Sequence, residues 1–123
     1  MSKFEVLLCI YDFLDKEYFK DKNKSDEYMY YISNINPDIW AGEGTADPAY
    51  YADYLRICDV FFEGENCSVK QGFGYAQKYL EEYNKYEHTE FSSNIDEVVE
   101  VFSKCTLSDW ERIYESVKTR RNR

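Results

Sequence analysis

The chain has 123 residues and a formal net charge of −9, and 19% of its residues are aromatic, including 13 tyrosines and 8 phenylalanines. That length fits one domain and suffices to bury a core without metals or disulfides. The aromatic content excludes an intrinsically disordered chain, and the acidity excludes a general binder of nucleic acid or bare anionic membrane.

The first element is a helix over 3–19. Phe4, Leu7, Leu8, Tyr11, Leu14 and Tyr18 recur at helical spacing, with Glu5, Asp12, Lys16 and Glu17 expected to face water. The run from Phe4 to Tyr11 also suits a buried strand, but the stripe continues to Tyr18, which favours the helix. Lys20 to Lys24 is a solvated connection.

Ser25 is the expected N-cap of a second helix, and Asp26 and Glu27 suit its positive end. Tyr28, Tyr31, Ile32 and Ile35 form its buried face, and Pro37 stops it. A loop from Pro37 to Ala46 follows. Its Trp40 has two readings, a plug over the core or an exposed anchor for a partner.

Asp47 and Pro48 open a third helix, over 47–63, as N-cap and first residue. Its stripe is Tyr51, Tyr54, Leu55, Cys58, Phe61 and Phe62. Asp47, Tyr50, Asp53 and Asp59 are expected to face solvent, and Gly64 to end the helix. Ser68 and Gln71 match a capping box for a fourth helix, lined by Val69, Phe73, Ala76, Leu80 and Tyr83. Gly72 and Gly74 weaken it, and they suit close approach of another segment around Phe73. They do not form a phosphate-binding loop, because no G-x-G-x-x-G or G-K-[ST] is present.

Asn84 to Ser92 reads as a polar connection containing His88. Ser93 is the expected cap of a short fifth helix built on Ile95, Val98, Val99 and Phe102. Thr106 with Asp109 opens a sixth, with Leu107, Trp110, Ile113, Tyr114 and Val117 inward. Residues 118–123 form a basic tail, frayed at its end. The expectation is an all-α single domain over 1–123, a bundle of about six amphipathic helices with mainly antiparallel neighbours.

The charge is unevenly spread. Residues 1–117 hold 24 acids and 11 bases, and the segment 26–66 holds 9 acids and one base, Arg56. Such a field attracts basic partners. It also fits a merely soluble acidic surface.

Cys9, Cys58, Cys67 and Cys105 show no C-x-x-C pairing and read as free thiols acting as small hydrophobes, which suits a reducing cytoplasm. The single His88 and the absence of H-E-x-x-H or EF-hand patterns leave no metal site and no cofactor to expect. No catalytic residue is assigned. The carboxylates at helical spacing, Asp12 with Asp15 and Glu97 with Glu100, read as solvated faces. The start MSKFEVLLCIYDFL does not read as a signal peptide, and no stretch is long enough to span a membrane.

Acids interleaved with tyrosines can take the place of phosphates and bases in a basic cleft. Tyrosine offers large contact area at little entropic cost. The expected partner-binding residues are Trp40, Glu43, Tyr50, Asp53, Glu63 and Glu65, with Asp47 and Pro48 structural.

The segment N-P-D-I-W at 36–40, followed by G-x-G-T-A-D-P-A-Y-Y-A-D-Y at 42–54, resembles a motif of small helical immunity proteins of bacterial polymorphic-toxin and contact-dependent growth inhibition systems. Asn36, Pro37, Trp40, Ala46, Asp47, Pro48, Ala49 and Tyr54 carry the resemblance. It covers about a quarter of the chain, roughly 34–62, and Asp38 and Ile39 depart from a bulky residue directly after the proline. The resemblance implies a cytoplasmic, non-enzymatic protein that binds and neutralises a toxin domain, commonly a nuclease and in one form an EndoU-like RNase. It would be a monomer that forms a heterodimer with the toxin. The alternative is an acidic, nucleic-acid-mimicking adaptor or inhibitor of a host enzyme. A small hydrolase using clustered acids is a third reading.

Overall fold

The structure, a computed structural model, describes residues 1–37 and 42–121. Six helices account for most of them: α1 (Lys3–Lys20), α2 (Asp26–Asn34), α3 (Pro48–Cys58), α4 (Val69–Glu90), α5 (Asp96–Phe102) and α6 (Leu107–Arg121). The fold is the expected all-α bundle in a single domain. An isolated bridge between Ser2 and Asn66 is the strand-like pairing among the described residues.

Local chemistry sets most of the helix starts. Ser2 and Glu5 form a capping box on α1, and Ser68 and Gln71 form one on α4. The Ser25 hydroxyl accepts from the Tyr28 N–H, and an Asp47 carboxylate oxygen accepts from the Ala49 N–H. Thr106 and Asp109 exchange hydrogen bonds at the start of α6. α5 differs from expectation. Its N-cap is Ile95 without a side-chain cap, and the Asn84 side chain accepts the Ile95 N–H instead.

α1 and α4 are the two helices around which the rest pack. α1 touches α2, α4, α5 and α6, while α4 touches α1, α3, α5 and α6. Accordingly α1 is buried on more than one stripe: Val6, Cys9, Ile10 and Phe13 join Phe4, Leu7 and Leu14 inside. Burial of that apolar surface supplies the main driving force for the fold.

The core has two aromatic clusters. Trp110 is fully buried, its indole N–H donates to the Val69 carbonyl at 3.1 Å, and its ring meets Phe73 and Phe102. The other cluster is made of tyrosines. Tyr31 and Tyr79 join hydroxyl to hydroxyl at 2.7 Å, Tyr54 packs edge-on against Tyr79, and Tyr83 lies against both Tyr31 and Tyr79. Buried phenols need partners, and these have them: Tyr28 donates to the Leu14 carbonyl and Tyr54 to the Lys3 carbonyl.

Several expectations are corrected. Asp12 is buried rather than facing water, because Arg120 and Lys16 both approach its carboxylate. The chain end is not frayed through Arg121: α6 runs that far, and Arg121 lies over the Phe4 ring and 3.6 Å from Glu43. α3 ends at Cys58 rather than near 63. Gly64 has a left-handed φ of 71° in the loop beyond, so it serves the turn and not the helix end. Asn84 to Glu90 is helical, not a connection, and His88 sits in the last turn of α4. A Cβ at Gly72 would lie 2.7 Å from the Met1 sulfur, so that glycine does admit a close neighbour, whereas Gly74 has none.

Candidate functional site

Three carboxylates without a basic partner among the described residues come together where α2, α3 and the C-terminal half of α4 meet. A cleft of about 310 Å³ opens there, lined by Asp26, Glu27, Tyr30, Tyr31, Tyr50 and Glu87, with Ser93 to Ile95 closing one side. Its lining contains three carboxylates and no basic side chain.

Each wall has a local cause. Asp26 and Glu27 occupy the first turn of α2, where the helix dipole favours them without supplying a counter-ion. One turn on, Tyr30 is 64% exposed, while Tyr31 turns inward to the tyrosine cluster. Tyr50 comes from the first turn of α3 and lies half-buried between them, 6.4 Å from the Tyr30 ring centroid and 6.1 Å from that of Tyr31. Burial pushes the Tyr50 phenol up to about 12, partly offset by the neighbouring Tyr83 hydroxyl. Tyr83 in turn donates to Glu87 Oε1 at 2.6 Å. Burial, then this bond to a carboxylate, holds the Tyr83 phenol well above its usual range.

The cleft's far side is fixed by a polar hinge between α4 and α5. Asn84 donates to Asp96 Oδ1 at 2.7 Å, and His88 Nε2 lies 2.9 Å from the same oxygen. These two hydrogen bonds hold the Asp96 carboxyl below its usual range. Ser92, in the left-handed region with φ 52°, reverses the chain between them. At the other end, Glu97 accepts from both the N–H and the hydroxyl of Ser25, which ties α5 to the start of α2.

Of the expected partner-binding residues that are described, only Tyr50 lines this cleft. Its expected full exposure is corrected: the aromatic neighbours bury half of it. Trp40 lies outside the described residues. Glu43 is exposed and paired with Arg121, and Asp53 lies 3.6 Å from Arg56 on its own helix. Glu63 and Glu65 are exposed in the loop beyond α3, with no ion pair among the described residues. α3 has 11 residues and so spans roughly 16 Å, which separates Glu63 and Glu65 from Tyr50.

Asp26, Glu27, Tyr30 and Glu87 line the cleft and are not among the expected contacts. Reading 84–92 as a connection hides Glu87, which lies in α4. The signal was present: Tyr79, Tyr83 and Tyr86 continue the helical spacing of α4 past Asn84.

Asn36, Ala46 and Asp47, among the residues that carry the resemblance, close the loop between α2 and α3. The Ala46 N–H donates to the Asn36 carbonyl at 2.9 Å, and the Asp47 N–H to the Asn34 carbonyl at 3.0 Å. The buried Thr45 hydroxyl donates to the Asp47 carbonyl. Tyr54, from the same motif, is a core residue. The motif thus sets where Tyr50 is presented.

All four cysteines are free. Burial pushes the Cys58 and Cys105 thiols up to about 12, and raises Cys9 as well, so they stay protonated and weakly nucleophilic. Among the described residues, no group of three or more His, Cys, Asp or Glu is arranged to hold a metal. No helix among the described residues is long and apolar enough to cross a membrane. Two other clefts carry mixed charge. One, against Phe13 and Ile113, sets Lys16, Lys20, Lys104 and Arg112 against Glu17 and Asp109. The other, around Phe61, has Arg56 stacked on Tyr86 at 4.8 Å. Comparison with protein-family models, with curated proteins and with solved structures finds no match for this chain.

Proposed function

We propose that this chain is a helical immunity protein, a cytoplasmic inhibitor that binds the basic toxin domain of a delivered bacterial effector and blocks it. The toxin is a nuclease in this reading, with an EndoU-like RNase as one form. The observation that carries the reading is the cleft in which Asp26, Glu27 and Glu87 stand beside Tyr30 and Tyr50 without a basic partner among the described residues. Nuclease surfaces that hold phosphates are basic, and a wall of carboxylates and phenols offers them the same charge and stacking surface. The resemblance at 36–54 supports the same reading. Tyr50 is a direct contact, and Glu43, Asp53, Glu63 and Glu65 add to the attractive field around it.

Titration of the purified chain with the toxin domain encoded by the adjacent upstream gene tests this. The expected result is a one-to-one complex that abolishes toxin activity and weakens as salt rises. No complex at low salt, or one indifferent to salt, overturns the reading. Lack of a neighbouring toxin gene, with tight binding to a host nucleic-acid enzyme, would replace it by the nucleic-acid-mimic alternative.

A further inference from the structure

The tyrosine cleft differs from the rest of the acidic surface in one respect. Many other acids lie beside a lysine or arginine, as Asp12, Glu17, Asp21, Asp53, Asp59, Glu82, Asp109 and Glu115 do, while Glu63, Glu65, Glu100 and Glu111 have no ion pair among the described residues but stand exposed on the surface. At the cleft, Asp26, Glu27 and Glu87 have no such partner among the described residues, although they share one cavity. Glu87 uses one oxygen to accept from Tyr83, which fixes its carboxylate and leaves the second oxygen for another donor.

The aromatic lining narrows the chemistry further. Tyr50 makes ring contact with both Tyr30 and Tyr31, with centroids 6.4 and 6.1 Å away. Tyr31 is locked by its hydroxyl bond to Tyr79, and Tyr50 is wedged against Tyr83. A site of this kind suits an organic cation, which gains from aromatic faces and from carboxylates at once, better than a bare metal ion, which needs a tight oxygen cage.

We infer that the cleft between Tyr30, Tyr50 and Glu87 is a receptor for one arginine or lysine side chain of the partner protein. The inference rests on the basic-partner reading above for the source of that side chain. A guanidinium fits best: its plane stacks on a tyrosine while its N–H groups reach Glu27 and the free oxygen of Glu87. The cation makes good the missing counter-charge, so the cleft sets both the position and the charge sign of what docks there.

The test uses the whole chain and does not need the toxin. Nitrogen-15 labelled protein is titrated with acetyl-Gly-Arg-Gly-amide, with the lysine peptide, and with the citrulline peptide, which keeps the shape of arginine but not its charge. The expected result is saturable shifts of the Tyr30, Tyr31, Tyr50 and Glu87 amides with arginine and lysine, and none with citrulline. Glu27→Gln with Glu87→Gln should weaken binding about tenfold, and Tyr30→Ala about fivefold. Both are safe for the fold, since Tyr30 and Glu27 are exposed and a glutamine at 87 can still accept from Tyr83. Glu100→Gln with Glu111→Gln removes the same charge from exposed sites on α5 and α6 and should leave binding unchanged.

No saturable shift, shifts spread over the whole acidic surface, or an equal loss in the Glu100 and Glu111 control overturns the inference. The two proposals fail separately. A toxin complex indifferent to Glu27→Gln, Glu87→Gln and Tyr30→Ala removes the cleft and keeps the immunity reading. Capture of the arginine peptide by a chain that binds no toxin does the reverse.

Discussion

Arg120 reaches across 108 residues of sequence to place its Nη2 2.8 Å from Asp12 Oδ1. The other Asp12 oxygen lies 2.9 Å from Lys16 Nζ but off a hydrogen-bond direction, so it has a charge partner without a full hydrogen bond. Asp12 is 8% exposed, and a carboxylate that buried needs its counter-charge. The basic end of α6 is thus clamped to the middle of α1.

Arg120→Ala should destabilise the fold by about 1–2 kcal/mol, less than a fully buried pair would, because Arg120 is half-exposed and Lys16 remains. Urea unfolding should show a lower midpoint with an unchanged slope. A midpoint equal to that of the parent chain would mean that the clamp contributes nothing.

Tyr31 and Tyr79 share one hydrogen bond deep in the core. Removing either hydroxyl leaves the other buried without a partner. Tyr31→Phe and Tyr79→Phe should each cost about 1–3 kcal/mol, and the double variant should cost less than the sum of the two. A double-mutant cycle in urea measures that difference. Strict additivity would rule out the pairing.

Burial raises the phenols of Tyr31, Tyr54, Tyr79 and Tyr83 above the ordinary value of 10. The folded state therefore keeps protons that the unfolded state loses. The stability this gives is complete below pH 10 and declines as pH rises from there through the raised values. Tyrosinate absorbance should show one set of phenols ionising gradually and these four appearing together, in step with loss of helical circular dichroism. Gradual ionisation of all tyrosines with the helices intact would contradict their burial.

Gly72 and Gly74 are two residues apart in α4 but should respond differently to alanine. Gly74 has no neighbour within 4 Å of an added Cβ, so Gly74→Ala should gain about 0.5–1 kcal/mol, or roughly 3–5 °C in melting temperature. At Gly72 the added carbon meets the Met1 sulfur at 2.7 Å, and displacing that buried side chain offsets the gain. Thermal melts of the two variants should rank Gly74→Ala above Gly72→Ala.

The helix count and most starts were legible because capping is local. Ser25, Asp47 with Pro48, Ser68 with Gln71, and Thr106 with Asp109 each act within four residues of themselves. The ends were less legible. α3 stops at Cys58 although Phe61 and Phe62 continue its apolar spacing, because apolar residues beyond a helix can pack on the core from a turn as well as from a helix. Phe62 does so against Tyr75.

Sequence alone determined that this is a helical domain with an acidic field centred on 26–66, since composition and periodicity belong to the chain itself. It could not determine which acids keep their charge unanswered. Asp12 and Glu43 looked free until α6 brought Arg120 and Arg121 to them. Asp26, Glu27 and Glu87 are drawn from two helices into one cavity without such a partner among the described residues. Charge pairing depends on distance in space, and only the packing of α2, α3, α4 and α6 sets those distances.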